Sequence, residues 1–415
     1  MTIVLPGAPA DPQLPGKPTA MGLRFDGGEG DFVRLAARGA LLQFVTFGFY
    51  RFWLNTEVRR HLWTHTSVDG DHLEYTGSGR ELLVGFLFAL AILVPIYLIY
   101  FLIGVEVERF QAFGSVPLGL FTLFFGQFAI YRARRYRLTR TVWRGVRFWM
   151  QGSGWAYAVR SFGWLLLVIA TLGLAWPWRA ASLERYKMRH TFYGDLGGAF
   201  SARPWAFFRR GVWLWLLAAT PVLLFIAAGM AYGMSEQERS QPAMALAIAG
   251  GVMSLPVPFI WPWFRALEWR WWASGVRFGD IFLESDLRGA QILKLYLKFA
   301  IIASIVSGGA AGLMFGVGAV IVERIFNGKA DFDSMGAIFE SNQILLVAGS
   351  LVGYLVVGLS VGVVQRYFFQ REMWTIVTRS LTIHHVESAE GVAARGEAAN
   401  AIGEGLADSL DVAGF

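Results

Sequence analysis

The sequence predicts an all-α polytopic membrane protein with internal repeats. It has about six full transmembrane helices in three hairpins, two re-entrant or interfacial helices, and short cytoplasmic β-hairpins. Three observations carry this reading. Of the 415 residues, 55% are hydrophobic and 16% charged, whereas a soluble domain carries about a quarter charged residues; the excess apolar surface must face lipid. Several apolar runs are long enough to cross a bilayer. Finally, one unit recurs: an apolar stretch, an aromatic residue, an Arg-rich helix end and a strand-like hairpin. The segment TFGFYRFWLNTEVRRHLWTHTSVDGD from Thr46 overlays TLGLAWPWRAASLERYKMRHTFYGDL from Thr171 without a gap, matching Gly48 to Gly173, Trp53 to Trp178, Arg60 to Arg185 and His65 to His190. Weaker copies align Phe128, Arg135, Thr141 and Gly145, then Trp263, Arg270, Phe278 and Gly279, and a degraded one runs from Arg371 to Thr382.

Taken in order, residues 1–24 form a Pro-rich arm, with Pro6, Pro9, Pro12, Pro15 and Pro18; lacking an apolar core, it reads as disordered and not as a cleavable signal peptide. Residues 25–152 make a first membrane repeat, 153–297 a second, 298–386 a third helical hairpin with a β segment, and 387–415 a flexible acidic tail. A bilayer crossing takes about 20 helical residues. Six runs qualify: Leu82–Gly104, Leu118–Tyr131, Gly211–Tyr232, Ala243–Phe264, Ala300–Val322 and Ile344–Gln365. Two more, Phe32–Trp53 and Tyr157–Trp178, carry Arg34, Arg38 and Arg160 in their first turns.

Arginine placement sets the orientation. The connectors Val105–Val116, Gly233–Gln241 and Glu323–Asn342 are acidic, with Glu106, Glu108, Glu236, Glu238, Asp331 and Asp333, while the other connectors are rich in arginine. The positive-inside rule then puts the acidic three outside and both termini in the cytoplasm. A full crossing by Tyr157–Trp178 would strand one basic flank outside. It and Phe32–Trp53 therefore read as re-entrant or interfacial, with eight crossings as the alternative.

The connectors have strand chemistry. Thr66–Tyr75 alternates around Asp69-Gly70, the dipeptide that tolerates positive φ in a type I′ turn. Thr141–Phe148, Val276–Phe282 and, weakly, Thr378–Val386 repeat it. A lone hairpin is marginal in water, so several are expected to pair into one sheet capping the helices.

Chemistry is sparse. Trp53/Arg60, Phe128/Arg135, Trp178/Arg185 and Trp263/Arg270 share a spacing of seven, two helical turns, so ring and guanidinium lie on one face. This fits interfacial aromatics with snorkelling arginines, or an arginine set gripping anionic lipid or solute. Gly308, Gly312 and Gly316, with Gly349 and Gly353, have the four-residue period of close helix packing. Glu57, His61 and His65 share a helical face but lack a third strong ligand, so no metal and no cofactor is expected. There is no cysteine, which excludes disulfides and thiolate chemistry. No catalytic constellation is present, so an enzyme is not expected. The net charge of +7 lies beside apolar runs, suiting anionic membrane lipids and not nucleic acid.

The corner TFGFYRFW, the following RR and HTSVDGDHLEYTGSG, with TLGLAWPW, RYKMRHTFYGD and RRYRLTRTVWRGVRF later, resemble the bacterial domain-of-unknown-function family typified by the inner-membrane protein YjgN. The resemblance runs from Phe25 over nearly the whole chain. It implies a multi-pass inner-membrane protein of Gram-negative bacteria and lends no activity or catalytic residue. One departure is His61, where the family more often has Tyr, as at Tyr136 and Tyr186. The function expected is a transporter- or channel-like protein for a small anionic or amphiphilic solute or lipid. The alternative is a non-catalytic scaffold or accessory subunit binding a partner protein at its cytoplasmic face; the partners expected are anionic membrane lipids and a second copy of the chain or another membrane protein.

Overall fold

The computed structural model describes residues 20–106, 111–233, 241–326 and 343–409. The Pro-rich arm to residue 19, most of the three acidic connectors and Leu410 lie outside the described residues.

Asp69-Gly70 turns the chain with φ of 53° and 82°, the left-handed pair of a type I′ hairpin. It joins β3 (Thr66–Val68) to β4 (Asp71–Tyr75). Arg144-Gly145, at 50° and 73°, joins β5 (Thr141–Trp143) to β6 (Val146–Met150) in the same way. Arg144 then bonds Asp71 at 2.6 Å and Asp69 at 2.7 Å, stitching neighbouring hairpins together. Two further hairpins follow, β7 (Thr191–Tyr193) with β8 (Leu196–Phe200), and β9 (Val276–Phe278) with β10 (Ile281–Ser285). Short strands β1 (Ala20–Gly22), β2 (Arg24–Phe25) and β11 (Leu381–His384) complete the set.

All eleven pair antiparallel in one sheet, in the order β1-β11-β10-β9-β8-β7-β6-β5-β4-β3-β2. The end strands β1 and β2 are separated by Leu23 alone, whose N–H donates to the Leu381 carbonyl at 3.2 Å. The ribbon therefore curls back on itself into a near-closed ring. This corrects the all-α expectation. Strands of two to five residues leave little hydropathy signal one by one, but joined in a ring they cover one another's edges. Leu23, Val68, Trp143, Tyr193, Ile281 and Ile383, drawn from around the ring, pack into one apolar cluster.

Between consecutive hairpins the chain leaves the sheet as a pair of helices and returns. The pairs are α1 (Glu29–Val45) and α2 (Arg51–Thr64), α3 (Gly79–Glu106) and α4 (Gln111–Thr139), and α5 (Gly154–Ala170) and α6 (Trp176–Arg189). Next come α7 (Pro204–Gly233) with α8 (Gln241–Ser254) and α9 (Val257–Gly275), then α10 (Gly289–Phe326) with α11 (Gln343–Arg366). A π-helical turn, Tyr367–Glu372, leads from α11 into α12 (Met373–Arg379).

Among the described residues five helices are long and apolar enough to cross a membrane, and α8 with α9, bent by 49°, makes a sixth if taken as one span. The chain is thus a membrane protein by length and composition of its helices. At 17 residues each, α1 and α5 fall short of a crossing. Their pairs turn at Phe47-Gly48 (50° and 89°) and Leu172-Gly173 (49° and 92°). Because β2 pairs with β3 and β6 with β7, each pair rises from the sheet and returns to it. The tips are apolar and exposed, Phe47 by 91%.

The C-terminal segment, expected as a flexible acidic tail, is built into the fold. Val386, Ala389 and Val392 enter the apolar cluster inside the strand ring. The chain next crosses the β7–β8 turn, where Ala393 N–H donates to Asp195 at 3.1 Å. It runs on past Trp149, which abuts Gly396, to Thr139, which accepts from Ala399 N–H at 3.2 Å. Its last described element is α13 (Ile402–Ser409).

Most glycines of α10 and α11 stand against open space within the single chain. A Cβ at Gly308, Gly312, Gly316 or Gly349 would meet nothing within 4 Å, and one at Gly353 would meet Met314 at 3.4 Å. Close packing occurs elsewhere, where Gly79, Gly154 and Gly289 open helices on the aromatic residues Trp53, Phe128 and Trp263.

Candidate functional site

The second helix of each pair ends in a strand, so the last two turns of α2, α4, α6, α9 and α12 lie directly beneath the strand ring. Each touches the next. Trp63 on α2 stacks on Trp374 of α12 at 4.7 Å between ring centroids, and Phe52 of α2 shares a cluster with Tyr136 of α4. Tyr131 of α4 meets Tyr186 of α6 at 5.6 Å. Trp272 of α9 donates to Glu184 of α6 at 3.1 Å, while Trp269 of α9 joins Met373, Ile376 and Val377 of α12.

Inside this five-helix ring lies a cluster of charged side chains, the basic chamber. Arg134 approaches Glu184 at 4.0 Å, and Lys187, one turn further along α6, pairs with the same carboxylate. On the other side Arg59 pairs with Glu404 of α13, and Arg137 lies 3.7 Å from its second oxygen. Arg59 also donates to the Tyr75 hydroxyl at 3.3 Å. Four cations thus face two carboxylates, and the side chains of Arg59, Arg137, Lys187 and Glu184 are each under a fifth exposed. Glu404 is 3% exposed.

Burial alone would push the Glu184 carboxyl up, but Lys187 and Arg134 hold it below the usual carboxylate range. Burial likewise works against the Arg59 charge, and Glu404 with Tyr75 more than restores it, raising that group above its ordinary value.

The tail reaches this chamber through a lateral window. The two helices of most other pairs pack directly on each other, but α3 and α4 are splayed near the sheet, and α13 lies between them. Leu406 and Ala407 sit among Ala89 and Leu93 of α3 and Ala129 and Ala133 of α4. Gly405 lies backbone to backbone against Gly85, and Gly403 lies against Arg132. Farther from the sheet α3 and α4 meet again, Tyr97 and Thr122 sharing a hydrogen bond of 2.9 Å.

The arginines singled out by spacing fall elsewhere. Arg60 is exposed and donates to the Gly77 carbonyl at 3.3 Å. Arg135 is half-buried, Arg185 is exposed, and Arg270 lines an open cleft of about 470 Å³ with Arg210 and Glu284. They stand on four different helices with no shared partner among the described residues. The reason is helical geometry. The seven-residue spacing ties each arginine to the face of its aromatic, and Trp53, Phe128 and Trp263 look outward to the next pair's first turn; Trp178 does so against Trp205 and Phe208. One residue earlier, about 100° around the helix, stand Arg59, Arg134 and Glu184, which face inward. Arg137 and Lys187, three residues beyond Arg134 and Glu184, share that inner face.

His61 and His65 lie 4.3 Å apart between ring centroids, tilted by 38°, and His65 donates from Nδ1 to the His61 carbonyl at 2.8 Å, closing the helix end. His190 does the same to Tyr186 at 2.7 Å. Burial, with the neighbouring His65, lowers the His61 pKa.

Set against known proteins, residues 20–409 match the model of a bacterial protein family of unknown function, DUF898. No curated protein and no solved structure shows significant similarity to the chain.

Proposed function

The chain belongs to the bacterial DUF898 family of unknown function, and we propose from its geometry that it is an inner-membrane protein that binds an anionic amphiphile and passes it between the bilayer and its basic chamber. One observation carries the reading. Four cations, each at most 26% exposed, gather around two carboxylates, one of them on α13. Buried charge without a partner is costly, so a chamber with this excess favours an anion. Its place, between apolar helices and a strand ring, suits a molecule with an anionic head and an apolar body. In this reading the ring and both termini are cytoplasmic, as the arginine distribution suggests. The five strand–helix-pair–strand passes descend from one duplicated unit. The protein performs no catalysis.

The test is translocation in vesicles. Fluorescent phosphatidylglycerol should exchange between leaflets faster with the protein than without it, and faster than a phosphatidylcholine analogue. Arg134→Gln and Lys187→Gln should slow that exchange. Equal rates for both lipids, or rates indifferent to the two substitutions, would remove the reading.

A second reading is a static scaffold that binds a partner at the cytoplasmic face. The apolar side chains filling the strand ring, Trp143, Tyr193 and Val386 among them, favour it, since they close the direct path through the ring. Absence of exchange together with retention of a protein partner would select it.

A further inference from the structure

We propose that α13 is a displaceable occupant of a lateral binding site, whose ligand is an anionic amphiphile with its head at Arg59 and Arg137 and its chain along the α3–α4 groove. This rests on the chamber reading above and extends it to a door and a latch.

The groove has the form of a site rather than of a helix contact. Its walls are small residues, Gly85 and Ala89 on one side and Ala129 and Ala133 on the other, and its inner end holds two buried guanidinium groups. What fills it is itself amphiphilic: the Glu404 carboxylate at the arginine end, Leu406 and Ala407 along the apolar walls. A carboxylate- or phosphate-headed acyl chain presents the same order of chemistry. The occupant is also weakly committed. α13 has eight residues, two of them glycine, and a helix that short has no stability of its own. It lies beyond the last strand, so its departure breaks no strand pairing. Left without Glu404, the largely buried Arg59 would lose its carboxylate, which favours exchange for another anion over an empty window.

The absence of cysteine makes the test direct. Ala407 is fully buried, so Ala407→Cys in the full chain reports whether α13 is seated. Asp280→Cys, on an exposed turn, reports reagent reactivity. In neutral detergent, maleimide should label position 407 slowly. Lysophosphatidylglycerol or oleate should accelerate labelling by about tenfold or more, which corresponds to a shift of the seated population of that size. Lysophosphatidylcholine and inorganic phosphate should not, the first lacking net anionic charge and the second the apolar body. Phosphate acting alone would reduce the site to a headgroup site and overturn the groove. Arg137→Gln should remove the acceleration. Equal acceleration by all amphiphiles would overturn the arginine assignment, and no change with any would make α13 a fixed part of the core. Native mass spectrometry of the unaltered chain separates the two proposals. Lysophosphatidylglycerol bound without faster labelling leaves the chamber reading standing and sinks displacement, whereas no bound amphiphile sinks both.

Discussion

The two halves of the basic chamber use the same chemistry with different commitments. On one side Glu184 holds Arg134 and Lys187, and all three belong to helix pairs anchored at both ends in the strand ring. On the other Glu404 holds Arg59 and Arg137 from a helix that ends the described chain. The first carboxylate cannot leave without unfolding α6. The second leaves whenever α13 does. A buried ion pair therefore acts here as a fixture or as a latch according to how its anion is tethered, and single substitutions should separate the roles.

The largest effect belongs to the fixture. Glu184→Gln leaves Arg134 and Lys187 buried beside a neutral amide, and breaking such a pair costs about 3–5 kcal/mol. Thermal unfolding in detergent should show that loss at neutral pH. The pH dependence has a fixed sign. Because the folded Glu184 is held below its usual pKa, its contribution is present above the unfolded carboxylate value of about 4.3 and is lost as pH falls through the folded value. The substituted protein should lack that acid-side decline. An unchanged acid limb would mean that other carboxylates govern it.

Gly405→Leu comes next. Gly405 packs on the Gly85 backbone with no room for a Cβ, so a leucine must expel α13 or push α3 aside. Overpacking costs about 1–3 kcal/mol, and here expulsion sets the ceiling, because the helix can leave instead of straining the core. Loss of helix seating, read as protease sensitivity after exposed Arg395, should accompany a modest fall in stability. A fall as large as that of Glu184→Gln would show that α13 is as much a fixture as α6.

Glu404→Gln should cost less, about 1 kcal/mol, the net scale of a typical hydrogen bond. The amide still fills the space, and the window can open to hydrate Arg59 and Arg137. Stability with and without added chloride or phosphate measures this: anions should restore the substituted protein and leave Glu184→Gln unrepaired, since its site has no window.

Much of this plan could be read from the residues. Asp69-Gly70 announced its turn, and of the segments overlaid at Thr46 and Thr171 the structure makes two short helix pairs, tipped by Phe47-Gly48 and Leu172-Gly173. The spacing that linked Trp53 to Arg60 was real, but it marked the outer face. Recognising Arg59, Arg134 and Glu184 as inward required knowing which way the aromatic looks, and that depends on Gly79, Gly154 and Gly289 from the following pair. The ring closure was hidden too, because β1 and β2 have five residues between them and gain their partners from Leu381–His384 and Thr66–Val68, far along the chain. The tail misled through composition. Glycine, alanine and glutamate read as solvent-loving until small walls and buried arginines are placed around them.

The smallest effect is expected where glycine looked most important. Gly312 on α10 and Gly405 on α13 are both small residues in apolar surroundings, but the first faces open space and the second a backbone. Gly312→Leu therefore fills nothing and displaces nothing within the chain. Replacing glycine inside a helix also removes its entropic penalty, a gain of roughly 0.5–1 kcal/mol by comparison with alanine. Stability in detergent should stay level or rise slightly, opposite in sign to Gly405→Leu. A marked fall for Gly312→Leu, accompanied by a change in oligomeric mass, would mean that the open lane on α10 is covered by another chain. The contrast between the two glycines would then be one of which partner they meet, and no longer of packed against unpacked.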